Sequence, residues 1–246
     1  MEEFNYTKPI NKYLYLLPNS ITTLALFGGF FSILSAINHS FMLAAAGIFM
    51  SGVADMLDGR IARLTNTQSD FGNKFDSLSD LVAFGVAPAV TMYLWSLSSL
   101  GALGALIAFI YLLSAAFRLA RFSTQTKIDD PAYFYGMPTP PMAALVAGVI
   151  WFSCVNHLDG EMVSSFTSIM MVIFALLMSS KIRYFSFKTL SLKKNPYFFG
   201  VSFLAIISSA CVIGLPQIFF ILIFFYFLSG PTLKICQLLR LNKVSS

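Results

Sequence analysis

Long apolar stretches alternate with short polar connections along nearly the whole chain. A helix needs about 20 mostly apolar residues to cross hydrocarbon, because its backbone amides find no partner in lipid and must bond within the segment. Eight stretches meet that pattern, at approximately 21–37, 41–64, 75–97, 100–121, 138–155, 163–180, 198–214 and 217–236. The expected architecture is therefore all-α, a polytopic membrane protein of about eight transmembrane helices. Basic residues test the count, since Lys and Arg concentrate in cytoplasmic connections. With the N-terminus inside, all 16 fall on the inner side: Lys8 and Lys12; Arg60, Arg63 and Lys74; Arg118, Arg121 and Lys127; Lys181, Arg183, Lys188, Lys193 and Lys194; Lys234, Arg240 and Lys243. The outer connections around Asn38, Ser98, Asp159 and Leu215 carry none. Eight spans with both termini cytoplasmic follow, in a cell inner membrane.

Composition agrees: 57% of residues are apolar or aromatic, 11% are charged, 26 are Phe, and mean hydropathy is +0.75. Soluble domains carry about 25% charged residues, and disordered, collagenous or disulfide-rich chains need other compositions. The net charge of +5 is spread over helix connections rather than gathered on a soluble face, which excludes a nucleic-acid partner. Cys154, Cys211 and Cys236 are far apart in apolar stretches and read as small buried hydrophobes. His39 and His157 read as solvated turn residues. The opening MEEFNYTKP lacks the plan of a signal peptide, so the first span is expected to be retained, with residues 11–17 lying along the interface. The Pro- and Gly-rich stretch 129–141 reads as a shaped, non-helical loop, and the aromatic run at 219–227 as lipid-facing packing.

The chemistry is concentrated. An ionisable residue within a span costs about 2.5–3.5 kcal/mol on the mild insertion scale and is by default a functional hypothesis. Asp55, Asp58, Arg60 and Arg63 close the second span, while Lys74, Asp76 and Asp80 open the third, with Asp70 between them. Asp55 and Asp58 are three apart and Asp76 and Asp80 four apart, so each pair shares a helix face. A short link makes the two helices antiparallel neighbours and gathers four carboxylates at one end. Two carboxylates about 5.5 Å apart repel by about 3 kcal/mol at an effective dielectric of about 20. Protonation, pairing with Arg60, Arg63 and Lys74, or divalent cations can each relieve this; oxygen ligands without His or Cys favour Mg²⁺, Mn²⁺ or Ca²⁺. A buried ion-pair network that only fixes helix packing is the bland alternative.

Residues 55–80, DMLDGRIARLTNTQSDFGNKFDSLSD, fit D-x2-D-G-x2-A-R-x8-G-x3-D-x3-D at all eight defined positions: Asp55, Asp58, Gly59, Ala62, Arg63, Gly72, Asp76 and Asp80. This resembles the signature of the CDP-alcohol phosphotransferase family. LPNSIT from Leu17, FDSLSDLVAFGVAPA from Phe75, RLARF from Arg118, GMPTPP from Gly136 and SKIRYFSFK from Ser180 are together similar to its integral-membrane phosphatidylserine synthases, from bacteria and archaea. The resemblance covers about 15–195, a six-helix catalytic core within a single domain of 1–246; the spans at about 198–236 are accessory.

The resemblance implies transfer of a phosphatidyl group from CDP-diacylglycerol to L-serine, giving phosphatidylserine and CMP, with two divalent cations, Mg²⁺ or Mn²⁺, and a homodimer. It implies Asp55, Asp58 and Asp76 as metal ligands, and Asp80 as a metal ligand that also acts as general base. Gly59, Arg63, Ser69, Gly72, Asn19 and Thr22 would hold CDP-diacylglycerol. For the serine carboxylate the candidates are Arg118, Arg121 and Lys181, of which the first two share a face of an otherwise apolar span. Glycerol 3-phosphate, inositol or inositol phosphate as acceptor is the nearest alternative, and a cation transporter the alternative of another class.

Overall fold

A computed structural model describes residues 16–65, 67–124, 133–180 and 183–185. The expected spans at 198–214 and 217–236, Lys181, Cys211, Cys236 and most of 11–17 lie outside the described residues. In chain order these residues form α1 (Leu16–Ile37), α2 (Phe41–Leu64), α3 (Asp70–Asp80), a π-helical turn (Leu81–Val86), α4 (Ala87–Trp95), a 3-10 turn (Leu97–Leu100), α5 (Ala102–Thr124), β1 (Tyr133–Tyr135), α6 (Thr139–Val155), α7 (Ser164–Ser179) and β2 (Arg183–Phe185).

Among the described residues, four helices are long and apolar enough to cross a membrane: Leu16–Ile37, Phe41–Leu64, the continuous rod Asp70–Trp95, and Ala102–Ser123. The fifth and sixth come out shorter, at 17 and 16 residues, which is about 25 Å of helix each. α1 begins five residues ahead of the expected start. Pro18 sits in its first turn, where a missing amide hydrogen costs nothing.

Packing is inverted relative to a soluble protein. Small residues such as Ala25, Ala44, Ala45, Ala83, Ala87 and Ala143 are buried, while Leu24, Phe27, Phe30, Leu106, Phe109 and Phe117 are exposed along α1 and α5. Lipid is as apolar as a leucine side chain, so helices gain by close approach rather than by hiding large apolar groups. The α1–α2 pair, the most extensive contact among the described elements, shows this directly: a Cβ on Gly28 would stand 2.5 Å from Ser51 Oγ and 3.0 Å from the Gly47 carbonyl. Ser51 Oγ–H donates across that seam to the Ala25 carbonyl at 2.8 Å. Larger core side chains, among them Met92, Tyr111, Met142, Ile150 and Met171, fill the centre between α4, α5, α6 and α7.

The turns follow residue chemistry. His39 and His157 take φ of 55° and 54° just past α1 and α6, the left-handed position that closes many helices; both are exposed, as expected of turn residues. Cys154 is half-buried, and its thiol is free. Part of the 129–141 stretch is strand: β1 pairs antiparallel with β2, Phe134 opposite Tyr184. Gly136 then turns at φ 74° against the end of α7, where the Met137 N–H donates to the Leu177 carbonyl at 3.2 Å.

Candidate active site

The five-residue link 65–69 joins the polar end of α2 to α3, whose backbone packs chiefly on α1 rather than along α2. One carboxylate oxygen each from Asp55, Asp76 and Asp80 lie within 4.8 Å of one another, and all three residues are half-buried. Helical spacing places Asp76 and Asp80 one above the other on α3, and their side chains reach Asp55 across the gap between the two helices.

Asp58 shares the α2 face with Asp55 but is held differently. It is 5% exposed, and its Oδ2 accepts a 2.7 Å hydrogen bond from Thr22 Oγ1 on α1. A carboxylate this deep needs donors to stay charged, and Thr22 is one. The sequence alone had not linked these two residues, which stand 36 positions apart.

The link is organised around Ser69. Its side chain accepts from the Gly72 N–H at 3.0 Å, which makes it the N-cap of α3. A Cβ on Gly72 would lie 3.1 Å from Ser69 Oγ and 3.4 Å from Asn19 Oδ1, so Asn19, Ser69 and Gly72 converge where α1 meets the start of α3. Gly59 is open, with Arg63 Nη2 4.0 Å from where its Cβ would be. Of the candidates for the acceptor carboxylate, Arg118 Nη1 donates to Thr139 Oγ1 at 3.3 Å, tying α5 to the first turn of α6. Arg121 is half-buried one turn further on. Lys181 lies outside the described residues.

The donor set fits a divalent cation. Three carboxylates converge without His or Cys among the described residues, which suits hard ions such as Mg²⁺ or Mn²⁺. Arg60, Arg63 and Lys74 are exposed, so burial of the aspartates is not accompanied by burial of these cations. The ion-pair alternative needs such partners buried with the acids.

A profile described as CDP-alcohol phosphatidyltransferase matches residues 15–180. The chain belongs to the CDP-alcohol phosphatidyltransferase family. It is similar to the CDP-diacylglycerol–serine O-phosphatidyltransferase of Helicobacter pylori, 38% identical over 200 residues that cover 81% of this chain and 84% of that one. The Methanocaldococcus jannaschii protein of the same description is 34% identical over 200 residues, 80% of this chain and 85% of its own. That of Mycobacterium leprae is 37% identical over 163 residues, 58% and 53% of the two chains. The CDP-alcohol phosphatidyltransferase match takes in every described site residue, from Asn19 on α1 to Thr139 on α6. The family is metal-dependent, and the Asp55, Asp76 and Asp80 triad is where an ion fits.

Two features of the site were not anticipated. Thr22, expected at the nucleotide, has its hydroxyl 2.7 Å from Asp58 Oδ2 and 3.1 Å from the Pro18 carbonyl. Ser69 was expected as a loop hydroxyl and is a helix cap; a serine directly before an acidic first turn is the signal that could have revealed it.

Proposed function

We propose that the chain transfers a phosphatidyl group from CDP-diacylglycerol to L-serine, releasing CMP. The convergence of Asp55, Asp76 and Asp80 within 4.8 Å at the family's motif positions carries this reading. The similarity to three proteins described as serine phosphatidyltransferases supports serine as the acceptor.

Asp55, Asp58 and Asp76 would hold two divalent ions, Mg²⁺ or Mn²⁺, with Asp80 assisting at one of them. Metal held there would neutralise the pyrophosphate and stabilise CMP as leaving group. Asn19, Ser69 and Gly72 at the start of α3, with Gly59 and Arg63 on α2, take the cytidine and its phosphates. Thr22 serves that site through Asp58. Asp80 accepts the proton of the serine hydroxyl as its oxygen attacks the phosphatidyl phosphorus and the phosphorus–oxygen bond to CMP breaks. Serine cannot be ionised in advance near neutral pH, so the base must act during attack. Attack would be direct, because the carboxylates of the site would be engaged in holding metal. Arg118, Arg121 and Lys181 meet the serine carboxylate, Arg118 from a position already fixed by Thr139.

The lipid tails remain in the bilayer, and the site opens to the cytoplasm of a cell whose inner membrane holds the chain by eight spans, six of them forming the core. Residues 198–236 are accessory, and the protein is a homodimer by analogy with its family. The same basic residues would also suit a phosphorylated acceptor, which keeps glycerol 3-phosphate and inositol phosphate as the second reading.

The test is an acceptor panel. Purified protein with CDP-diacylglycerol and Mn²⁺ should release CMP with serine and not with glycerol 3-phosphate, inositol or inositol phosphate, and chelator should stop release. Asp80→Asn protein with unchanged metal content should be slower by about 10²–10⁴-fold. CMP release with another acceptor would move the assignment to it; release that survives chelation would remove metal from the mechanism.

A further inference from the structure

Directly after Asp80 the rod Asp70–Trp95 leaves α-helical geometry for one π turn, Leu81–Val86, in which the Ala87 N–H bonds back five residues to the Val82 carbonyl. Pro88 explains why. It has no N–H to give the Phe84 carbonyl four residues earlier, and in an α-helix its ring would press on that carbonyl. The widened turn relieves the clash, and the Phe84 carbonyl is met from another helix. Tyr111 of α5, wholly buried, donates its hydroxyl to it at 3.3 Å. On the α1 side the same turn is held by contact. A Cβ on Gly29 would fall 2.6 Å from Ala83 Cα and 3.1 Å from Ala83 Cβ, so the backbone of α1 touches the π turn with nothing between.

We propose that Gly29 and Tyr111 are positioning residues for the carboxylate triad: together they hold the π turn that sets the rotation of α3, and with it the aim of Asp76 and Asp80 at Asp55. The inference rests on the metal-site reading above. The extra residue in a π turn changes the phase of the helix on either side by about one residue, close to 100° of rotation. With α4 anchored in the core by Ala87, Ala89 and Met92, losing the π turn would swing α3 by that angle and carry Asp76 and Asp80 away from α2. Neither Gly29 nor Tyr111 need touch substrate or metal for this to matter. Both act through the backbone between Asp80 and Ala87.

Mn²⁺ binding to purified protein, followed by electron paramagnetic resonance, separates positioning from general stability. Tyr111→Phe keeps the ring and removes the one hydroxyl, so it should fold; its Mn²⁺ dissociation constant is expected to rise at least threefold. Gly29→Ala puts a methyl into the contact and is expected to weaken Mn²⁺ about tenfold or more, in the range seen when supporting partners of metal ligands are lost. Ser96→Ala is the control. It removes hydrogen bonds to the Gly160 carbonyl and to Thr167 Oγ1 at the far end of the rod, and should lower thermal stability without changing Mn²⁺ affinity. A Tyr111→Phe protein that binds Mn²⁺ less than threefold more weakly than wild type overturns the proposal. A Ser96→Ala protein weakened as much as Tyr111→Phe overturns it too. Wild-type protein that binds Mn²⁺ but releases no CMP would sink the functional reading and leave this inference standing.

Discussion

Thr22 shows how much of a site can depend on one hydroxyl. Asp58 is almost sealed from solvent, and the 2.7 Å bond from Thr22 is charge-assisted, the stronger kind. Thr22→Val keeps the shape and removes the donor, leaving a buried carboxylate short of a partner; the expected loss of stability is about 1–3 kcal/mol, with a fall in CMP release. Thr22→Ser should recover most of both. Unfolding of the three proteins in the same detergent checks this, and a valine variant as stable as wild type would mean that Asp58 does not depend on Thr22. The acids themselves were legible from the sequence, because spacings of three and four on neighbouring helices bring carboxylates together whatever the details. Their partner was not, because a contact between α1 and α2 has no local trace, and Thr22 looks like any hydroxyl near the start of a span.

Elements were legible in proportion to their apolar length. The first four long helices overlap the stretches that hydropathy marked, α1 and the rod Asp70–Trp95 starting earlier than expected, whereas α6 and α7 are shorter than the stretches that announced them, their ends taken by the turn at Gly136 and the tight segment around Gly160. The π turn had a trace that only a physical reading of Pro88 could recover, since a proline four residues after a helical carbonyl must either kink the rod or widen it. The link before α3 had a plainer one in Ser69. Capping by Ser69 can be separated from any contact with nucleotide, because Asn caps as well as Ser does. Ser69→Ala should cost about 1 kcal/mol of stability and raise the KM for CDP-diacylglycerol. Ser69→Asn should restore the stability. If its KM is restored as well, Ser69 acts only as a cap; a KM that stays high places the hydroxyl on the nucleotide.

At the scale of the whole molecule, the arrangement of charge makes a statement about direction that the fold makes testable. α2 has 24 residues, about 36 Å of helix, enough to separate its two ends by the full hydrocarbon core. If α2 crosses, the exposed Gln68, in the link beside the carboxylates, and the exposed Asn38, in the turn before α2, stand on opposite faces. Asp159, exposed between α6 and α7, belongs with Asn38 if each intervening helix crosses once. The absence of Lys and Arg around Asn38 and Asp159, against their density around the link, predicts that the link faces the cytoplasm. A nucleotide-linked substrate made inside the cell needs that orientation, and a transporter would instead need its acidic site open to both sides. Single cysteines at 38, 68 and 159, placed in a chain whose Cys154, Cys211 and Cys236 are replaced by alanine, should divide cleanly with a membrane-impermeant thiol reagent. Positions 38 and 159 should label in intact cells, and 68 only after the membrane is opened. Labelling of 68 from outside would reverse the orientation, put the carboxylates beyond the reach of cytoplasmic substrate, and favour ion transport. Labelling of 38 but not 159 would mean that the short helices α6 and α7 do not both cross, and would replace the six-span core with a smaller one.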